Sequence, residues 1–190
     1  MQLILGLGGN VGNVPATFAW LLGKLAAHAS VLATSSLYRS APLGPPQPAF
    51  FNAALLLSFA GHPQQLFELC QAWEREAGRQ REVEPRWGPR PLDLDLLMAP
   101  QVVMVSKTLV LPHPRLAQRR FALLPAAEVA PHWVHPRQRR TLAELARMLA
   151  PQGQECELVG AFPCPASLTG AADAPAHPPP PPPGGTPATG

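Results

Sequence analysis

Acidic side chains are missing from the first third of this chain: no Asp or Glu precedes Glu68 in a protein of 190 residues. The formal net charge is only +3, but arginines gather at 75–90, 115–120 and 137–140. Such asymmetry suits an anionic partner. Long apolar runs are also missing, so no segment reaches the roughly 20 residues that span a bilayer. Met1-Gln2-Leu3-Ile4-Leu5-Gly6 has no basic stretch ahead of its apolar residues, as a signal peptide would have. Cysteine is sparse, and Cys70, Cys156 and Cys164 have neither zinc spacing nor a disulfide framework. The expectation is a cytoplasmic protein with no membrane partner. A Walker A sequence is absent, since Gly23-Lys24 falls inside a helical pattern. Gly6-Leu7-Gly8-Gly9-Asn10-Val11-Gly12 fails as a dinucleotide fingerprint, because its last glycine comes one place late and no acid stands near position 30. Any nucleotide must therefore be held without a P-loop.

What is present is most concentrated in Arg86-Trp87-Gly88-Pro89-Arg90-Pro91-Leu92-Asp93-Leu94-Asp95-Leu96-Leu97-Met98. From Leu92 apolar and acidic residues alternate. On a strand this puts Asp93 and Asp95 on one face and Leu92, Leu94 and Leu96 on the other. Two like charges so close disfavour each other's ionised form, and a cation removes that penalty. Two magnesium ions roughly 3.5–4 Å apart would suit such a pair and clamp a phosphate chain. Arg86 and Arg90 could then supply charge-assisted bonds to phosphate oxygens. A lone Asp-x-Asp also reads as an edge strand with solvated acids; the adjoining Arg-Trp-Gly-Pro-Arg favours the site.

Hydrophobic residues make up 46% of the chain, enough for one domain with a real core. Residues 2–8 read as a buried strand, Pro15 to about His28 as a helix, Val31–Tyr38 as a second strand and Asn52–Phe59 as a third. Pro63 opens a helix that stops at Gly78, with Leu66, Leu69, Cys70 and Trp73 on its apolar side. Residues 91–98 form the fourth strand, and Val102–Val105 could pair with it. Thr141-Leu142-Ala143-Glu144 is a capping box for a last helix to about Leu149, and Glu155–Val159 could close the sheet. The order predicts an α+β fold with a ferredoxin-like β-α-β-β-α-β core and a C-terminal appendix, its helices covering one face of an antiparallel sheet. From about Pro163 the composition collapses to Pro, Ala, Gly and Thr, with an unbroken proline run over 178–183. A domain over 1–162 and a disordered tail over 163–190 follow.

Residues 39–48 carry four prolines and form a stiff lip whose remaining backbone groups at Ser40, Ala41 and Leu43 could read a heterocycle. Phe50 and Asn52 share a strand face, where a ring can stack and an amide can pair with a donor–acceptor edge. A core Phe and a turn Asn would read the same. Glu74, Arg79 and Arg81 bracket a helix end and could equally be solvated. His113, between Pro112 and Pro114, is held rigidly as a phosphate ligand or is a surface histidine.

Four ordered segments resemble the 6-hydroxymethyl-7,8-dihydropterin pyrophosphokinase family over about residues 3–160. They are Leu5–Asn10, Tyr38–Gly44 with Phe50-Phe51-Asn52, the Arg-Trp-Gly-Pro-Arg-Pro-Leu-Asp-Leu-Asp run, and Pro112–Leu116 with Arg119 and Phe121. The resemblance implies pyrophosphate transfer from ATP to the dihydropterin in folate biosynthesis. It implies two Mg2+ ions on Asp93 and Asp95, and a triphosphate on Arg81, Arg90, His113 and Arg119, Arg81 and Arg90 being catalytic. Gln71 and Glu74 would lie near the nucleoside, and Trp87 between nucleotide and pterin. Phe50 and Phe121 would sandwich the pterin, with Asn52 and loop 40–43 on its edge. The stretch Arg79–Pro89 would close over substrates, although an extra residue near Arg81 leaves Arg79 or Arg81 as its phosphate arginine. A monomer acting on small molecules is implied. A nucleotidyltransferase would carry its Gly-Gly signature shortly before the acids, and here Gly8-Gly9 is more than eighty residues away. An RNA-binding domain would carry aromatic strand motifs that are absent, so no nucleic-acid partner is expected.

Overall fold

The computed structural model of the chain describes residues 1–80, 87–100, 102–151 and 153–163. The opening apolar run forms β1 (Gln2–Gly9), and Asn13 then caps α1 (Val14–Leu25) by accepting from the Ala16 amide at 3.1 Å. β2 (Ala29–Thr34) and β3 (Leu37–Ser40) follow, separated at Ser35-Ser36, where a single strand was expected. The break has a cause: the Ser35 hydroxyl accepts from the Ala54 amide at 2.8 Å and donates to the Ser36 carbonyl at 2.7 Å. β4 (Phe50–Phe59) leads to α2 (Pro63–Glu76), which is capped by His62 and Gln65 and released at Gly78 with φ +97°. β5 (Asp93–Met98) carries the acidic pair.

The sheet is antiparallel and runs β3-β4-β1-β5, with β2 also on β4. β6 (Met104–Val105) pairs with β7 (Val110–Leu111) in a separate hairpin, not with the acidic strand as the sequence suggested. α3 (Arg120–Val129) was not foreseen, because Pro125 sits inside it. β8 (Val134–His135) and β9 (Arg140–Thr141) form a hairpin before α4 (Leu142–Met148), which has the expected Thr141–Glu144 capping box. β10 (Cys156–Gly160) returns to pair with β3. The tail from Cys164 lies outside the described residues.

Strand alternation divides the core. Leu3, Leu5 and Leu7 of β1, with Leu94 and Leu96 of β5, pack against α1 and α2, whose Trp73 lies in the same core. Ile4, Ala54 and Leu97 face α3 and α4 on the opposite side. Helices therefore cover both faces, not one. The second covering is partial, since α3 and α4 reach only the end of that face marked by Ile4, Ala54 and Leu97. Beyond them the same face continues through Gly6 and Gly8 of β1, Asn52 and Phe50 of β4, and Asp95 and Asp93 of β5. That uncovered half is where a site can form.

Candidate active site

Register fixes the floor of this open half-face. Gly8 lies opposite both Asn52 and Asp93, and Gly6 opposite both Ala54 and Asp95. Neighbouring strands lie about 4.8 Å apart, so Asn52 and Asp93 stand roughly 10 Å apart with a bare glycine between them. Side chains at 6 and 8 would fill the space. A Cβ on Gly6 would meet Leu97 Cδ1 at 2.9 Å, and one on Gly8 would stand 3.6 Å from Asn52 Oδ1. The glycines thus serve as a flat floor more than as a turn; the turn itself uses Gly12, with φ +72°.

Above this floor is a cavity of about 610 Å³. At one end it is lined by Ser40, Ala41, Leu43, Phe50, Asn52 and Phe121; at the other by Arg79, Arg90, Asp93, Asp95, His113 and Arg119, with Trp87 also in its wall. Asn52 is buried and donates to Ser40 Oγ at 2.9 Å, which fixes its amide against the lip. Arg90 lies over the Phe50 ring at 5.2 Å and Arg119 over the Phe121 ring at 5.5 Å, so each aromatic of the first end is tied to a cation of the second.

The charges are arranged for a polyanion. Burial raises the Asp95 carboxyl above its usual range, and Asp93 and Glu74 raise it further. Arg90 Nε lies 3.1 Å from Asp93 Oδ2, and Arg79 Nη1 pairs with Asp93 Oδ1 as well as with Glu74 Oε1. His113 is neutral: burial, then Arg119 and Arg115, lower it to about 4. Its backbone N–H donates to the Leu97 carbonyl at 2.7 Å, anchoring it beside β5. Burial and Arg115 likewise lower the Arg119 guanidinium.

Among the described residues no cluster of three or more His, Cys, Asp or Glu could cage a metal. Two carboxylates on one strand face are a hard oxygen pair without further protein ligands. This donor set fits Mg2+, which keeps waters and commonly takes one or two carboxylates plus substrate phosphates. Asp93 and Asp95 would hold it.

The model of the 7,8-dihydro-6-hydroxymethylpterin-pyrophosphokinase family matches residues 4–131. The chain belongs to that family. It is 40% identical over 144 residues to the 2-amino-4-hydroxy-6-hydroxymethyldihydropteridine pyrophosphokinase of Synechocystis sp., covering 75% of this chain and 73% of the relative. It is 39% identical over 154 residues to the protein of that name from Methylorubrum extorquens, covering 80% and 95%. The Plasmodium falciparum HPPK-DHPS crystal structure superposes with a TM-score of 0.58 at 13% identity, over 77% of this chain and 40% of that one. The last likeness concerns the fold alone.

In this pyrophosphokinase the cavity gathers most of the residues singled out from sequence: Ser40, Ala41, Leu43, Phe50, Asn52, Trp87, Arg90, Asp93, Asp95, His113, Arg119 and Phe121. Gln71 and Glu74 do not line it. Glu74 is buried beneath β5, where its Oε1 accepts from the Leu94 amide at 2.8 Å and from Arg79 at 2.6 Å. Through Arg79, which pairs with both Glu74 and Asp93, this carboxylate is connected to the charged end of the cavity. Arg79 points into the cavity, while Arg81, Arg86 and most of the stretch expected to close over substrates lie outside the described residues. Sequence reasoning gave no role to Arg115, Gln118 and Gln154, which also line the cavity. Arg115 and Gln118 adjoin the Pro-His-Pro segment and could have been inferred from it. Gln154 had no local signal, since it arrives from the far end of the chain.

No helix among the described residues is long and apolar enough to cross a membrane.

Proposed function

We propose that the cavity runs the family's reaction with its two substrates laid end to end along the glycine floor. The activity is transfer of pyrophosphate from ATP to 6-hydroxymethyl-7,8-dihydropterin in folate biosynthesis, as family membership establishes. One observation carries the arrangement: an aromatic–amide end and a carboxylate–cation end share one cavity, about 10 Å apart across Gly8. Phe50 and Phe121 sandwich the pterin, Asn52 bonds its edge with backbone groups of residues 40–43, and Trp87 separates it from the nucleotide. Arg90, His113 and Arg119 hold the triphosphate, with Arg79 beside them and Arg81 assigned the same duty by resemblance. Asp93 and Asp95 would hold two Mg2+ ions, which would neutralise phosphate charge.

The pterin hydroxymethyl oxygen attacks the β-phosphorus in line. The new bond is oxygen to β-phosphorus; the bond broken joins that phosphorus to the oxygen shared with the α-phosphate, so AMP leaves and the hydroxyl proton passes to solvent. Little covalent chemistry is asked of the protein. Arg90 and Arg119 meet the charge of the moving group, and neutral His113 donates a hydrogen bond without adding a cation. Gln71 and Glu74 are assigned to the nucleoside side of ATP by resemblance, and Glu74 is linked to the cavity through Arg79, which also pairs with Asp93.

The catalytic unit is read as residues 1–162, since the residues lining the cavity all fall between Gly6 and Gln154, and it is taken to act as a monomer. Its element order is read as ferredoxin-like, on the strength of two β-α-β units interleaved in one antiparallel sheet. The test is an assay for AMP from ATP, Mg2+ and the hydroxymethyl-dihydropterin. Release of pyrophosphate with nucleotidylated pterin would overturn the reading.

A further inference from the structure

The cavity has two lips, neither of which is in a strand among the described residues. One is the proline-rich stretch 41–49, which leads into Phe50; the other is Trp87-Gly88-Pro89-Arg90. Pro42, Pro45, Pro46, Pro48 and Pro89 have no N–H to give, which thins the main-chain donors available to join the lips. Their approach is nevertheless close. A Cβ on Gly44, whose φ is +118°, would stand 3.3 Å from Trp87 Cβ, and Trp87 itself has a left-handed φ of +65°. A non-glycine residue holds that backbone only when its surroundings impose it.

Two side-chain amides supply the tie. Asn10, buried in the turn after β1, donates from Nδ2 to Gln47 Oε1 and to the Pro48 carbonyl, each at 3.0 Å. Its Oδ1 accepts from the Arg90 amide at 2.8 Å, and its own amide donates to the Arg90 carbonyl at 2.9 Å. Gln47 extends the relay, donating from Nε2 to the Trp87 carbonyl at 2.7 Å. One asparagine thus grips both lips, 38 and 80 residues away in sequence. Its backbone sits at the end of the rigid floor strand.

We propose that Asn10, relayed by Gln47, is a positioning residue that fixes the spacing between the two lips. The inference rests on the reading above, in which one lip belongs to the pterin and the other to the phosphates. In-line transfer demands reacting atoms about 3–3.5 Å apart, and a misplacement of about 1 Å can cost 100-fold in rate. A bridge that sets the gap should therefore govern turnover more than the affinity for either substrate alone.

The experiment compares the full chain with Asn10→Ala, Asn10→Asp and Gln47→Glu. Asn10→Asp keeps the acceptor for Arg90 and loses the donor to the lip; Gln47→Glu keeps the acceptor for Asn10 and loses the donor to Trp87. Hydrogen exchange without substrates should quicken in peptides over 41–49 and 87–91 and stay unchanged in β1, β4 and α2. In the AMP-release assay kcat should fall about 10- to 100-fold, while dissociation constants for ATP alone and pterin alone stay within about threefold. Full activity in Asn10→Asp, or exchange that quickens evenly across the fold, would overturn the proposal. Should Asn10→Ala fail to fold, Gln47→Glu, at a half-buried side chain, carries the same test. Exchange is read without substrate, so a wild-type chain that made no AMP would count against the functional reading alone.

Discussion

Asp95 stands where burial, Asp93 and Glu74 all oppose its charge, while Arg119 and Arg90 favour it. Such an arrangement disfavours ionisation in isolation and makes sense beside a cation. Replacing Asp95 by Asn keeps the shape and removes the charge. Turnover should fall by at least about 100-fold, as when preorganised charge is removed from other sites, with an unchanged circular dichroism spectrum; near-normal rates would sink the metal assignment. His113 makes a different prediction. The folded chain refuses its proton down to about pH 4, whereas the unfolded chain accepts it near 6.5. Between those values the unfolded state binds more protons, so stability is lost as pH falls from 6.5 towards 4. Unfolding free energies from urea titration at pH 7 and pH 5 should differ more in wild type than in His113→Gln, by on the order of 1 kcal/mol after solvent screening. Equal pH dependence in both proteins would refute it.

At the scale of the elements, β1 is the strand on which the site depends. Its outer alternation, Ile4-Gly6-Gly8, switches from a residue that packs under α3 to residues that vanish beneath the cavity. Gly9 is tighter still: a Cβ there would lie 2.6 Å from the Pro91 carbonyl oxygen, which is backbone and cannot swing aside. Gly9→Ala should destabilise by about 1–3 kcal/mol, read from the urea midpoint, and should also displace the entry to β5. Helix α3 is held from outside. Glu128 Oε1 accepts from the Ser36 amide at 3.0 Å and its hydroxyl at 2.6 Å, and Oε2 from Tyr38 at 3.0 Å. These bonds dock α3 over the β2–β3 break. Glu128→Ala should lower stability by about 1 kcal/mol because Glu128 is exposed, and a larger KM for the pterin should follow as Phe121 on α3 loses its position. An unchanged KM would separate the helix from the site.

Over the whole molecule, function follows from incomplete coverage of one sheet face. α1 and α2 cover one side, with Leu109, Leu111 and Phe162 packed beside them, whereas α3 and α4 cover part of the other and leave the charged part open. Ligands should therefore stabilise the fold, increasingly as their concentration exceeds the dissociation constant. ATP with Mg2+ at 100 times its dissociation constant should add about 2.7 kcal/mol to the unfolding free energy, measured in urea, and Asp95→Asn should lose the magnesium-dependent part. Absence of any magnesium dependence in wild type would argue against the carboxylate pair as its ligand. The two-faced covering was not legible in the sequence. α3 hides behind Pro125, and a helix with a proline in its middle lacks the unbroken pattern that marks α1 and α2.

Local rules by themselves determined a good deal. Alternation put Asp93 with Asp95 and Phe50 with Asn52, since a strand's two-residue period depends on nothing beyond the chain itself. Capping at Thr141–Glu144 and the stop at Gly78 were equally local. Only the tertiary structure decided which strands stand side by side, and so which of these pairs share a floor. It turned Glu74 inward beneath β5, brought Gln154 to the rim, and let Asn10 reach both lips. Those outcomes depend on sheet register and loop closure across dozens of residues, and no window of sequence contains them.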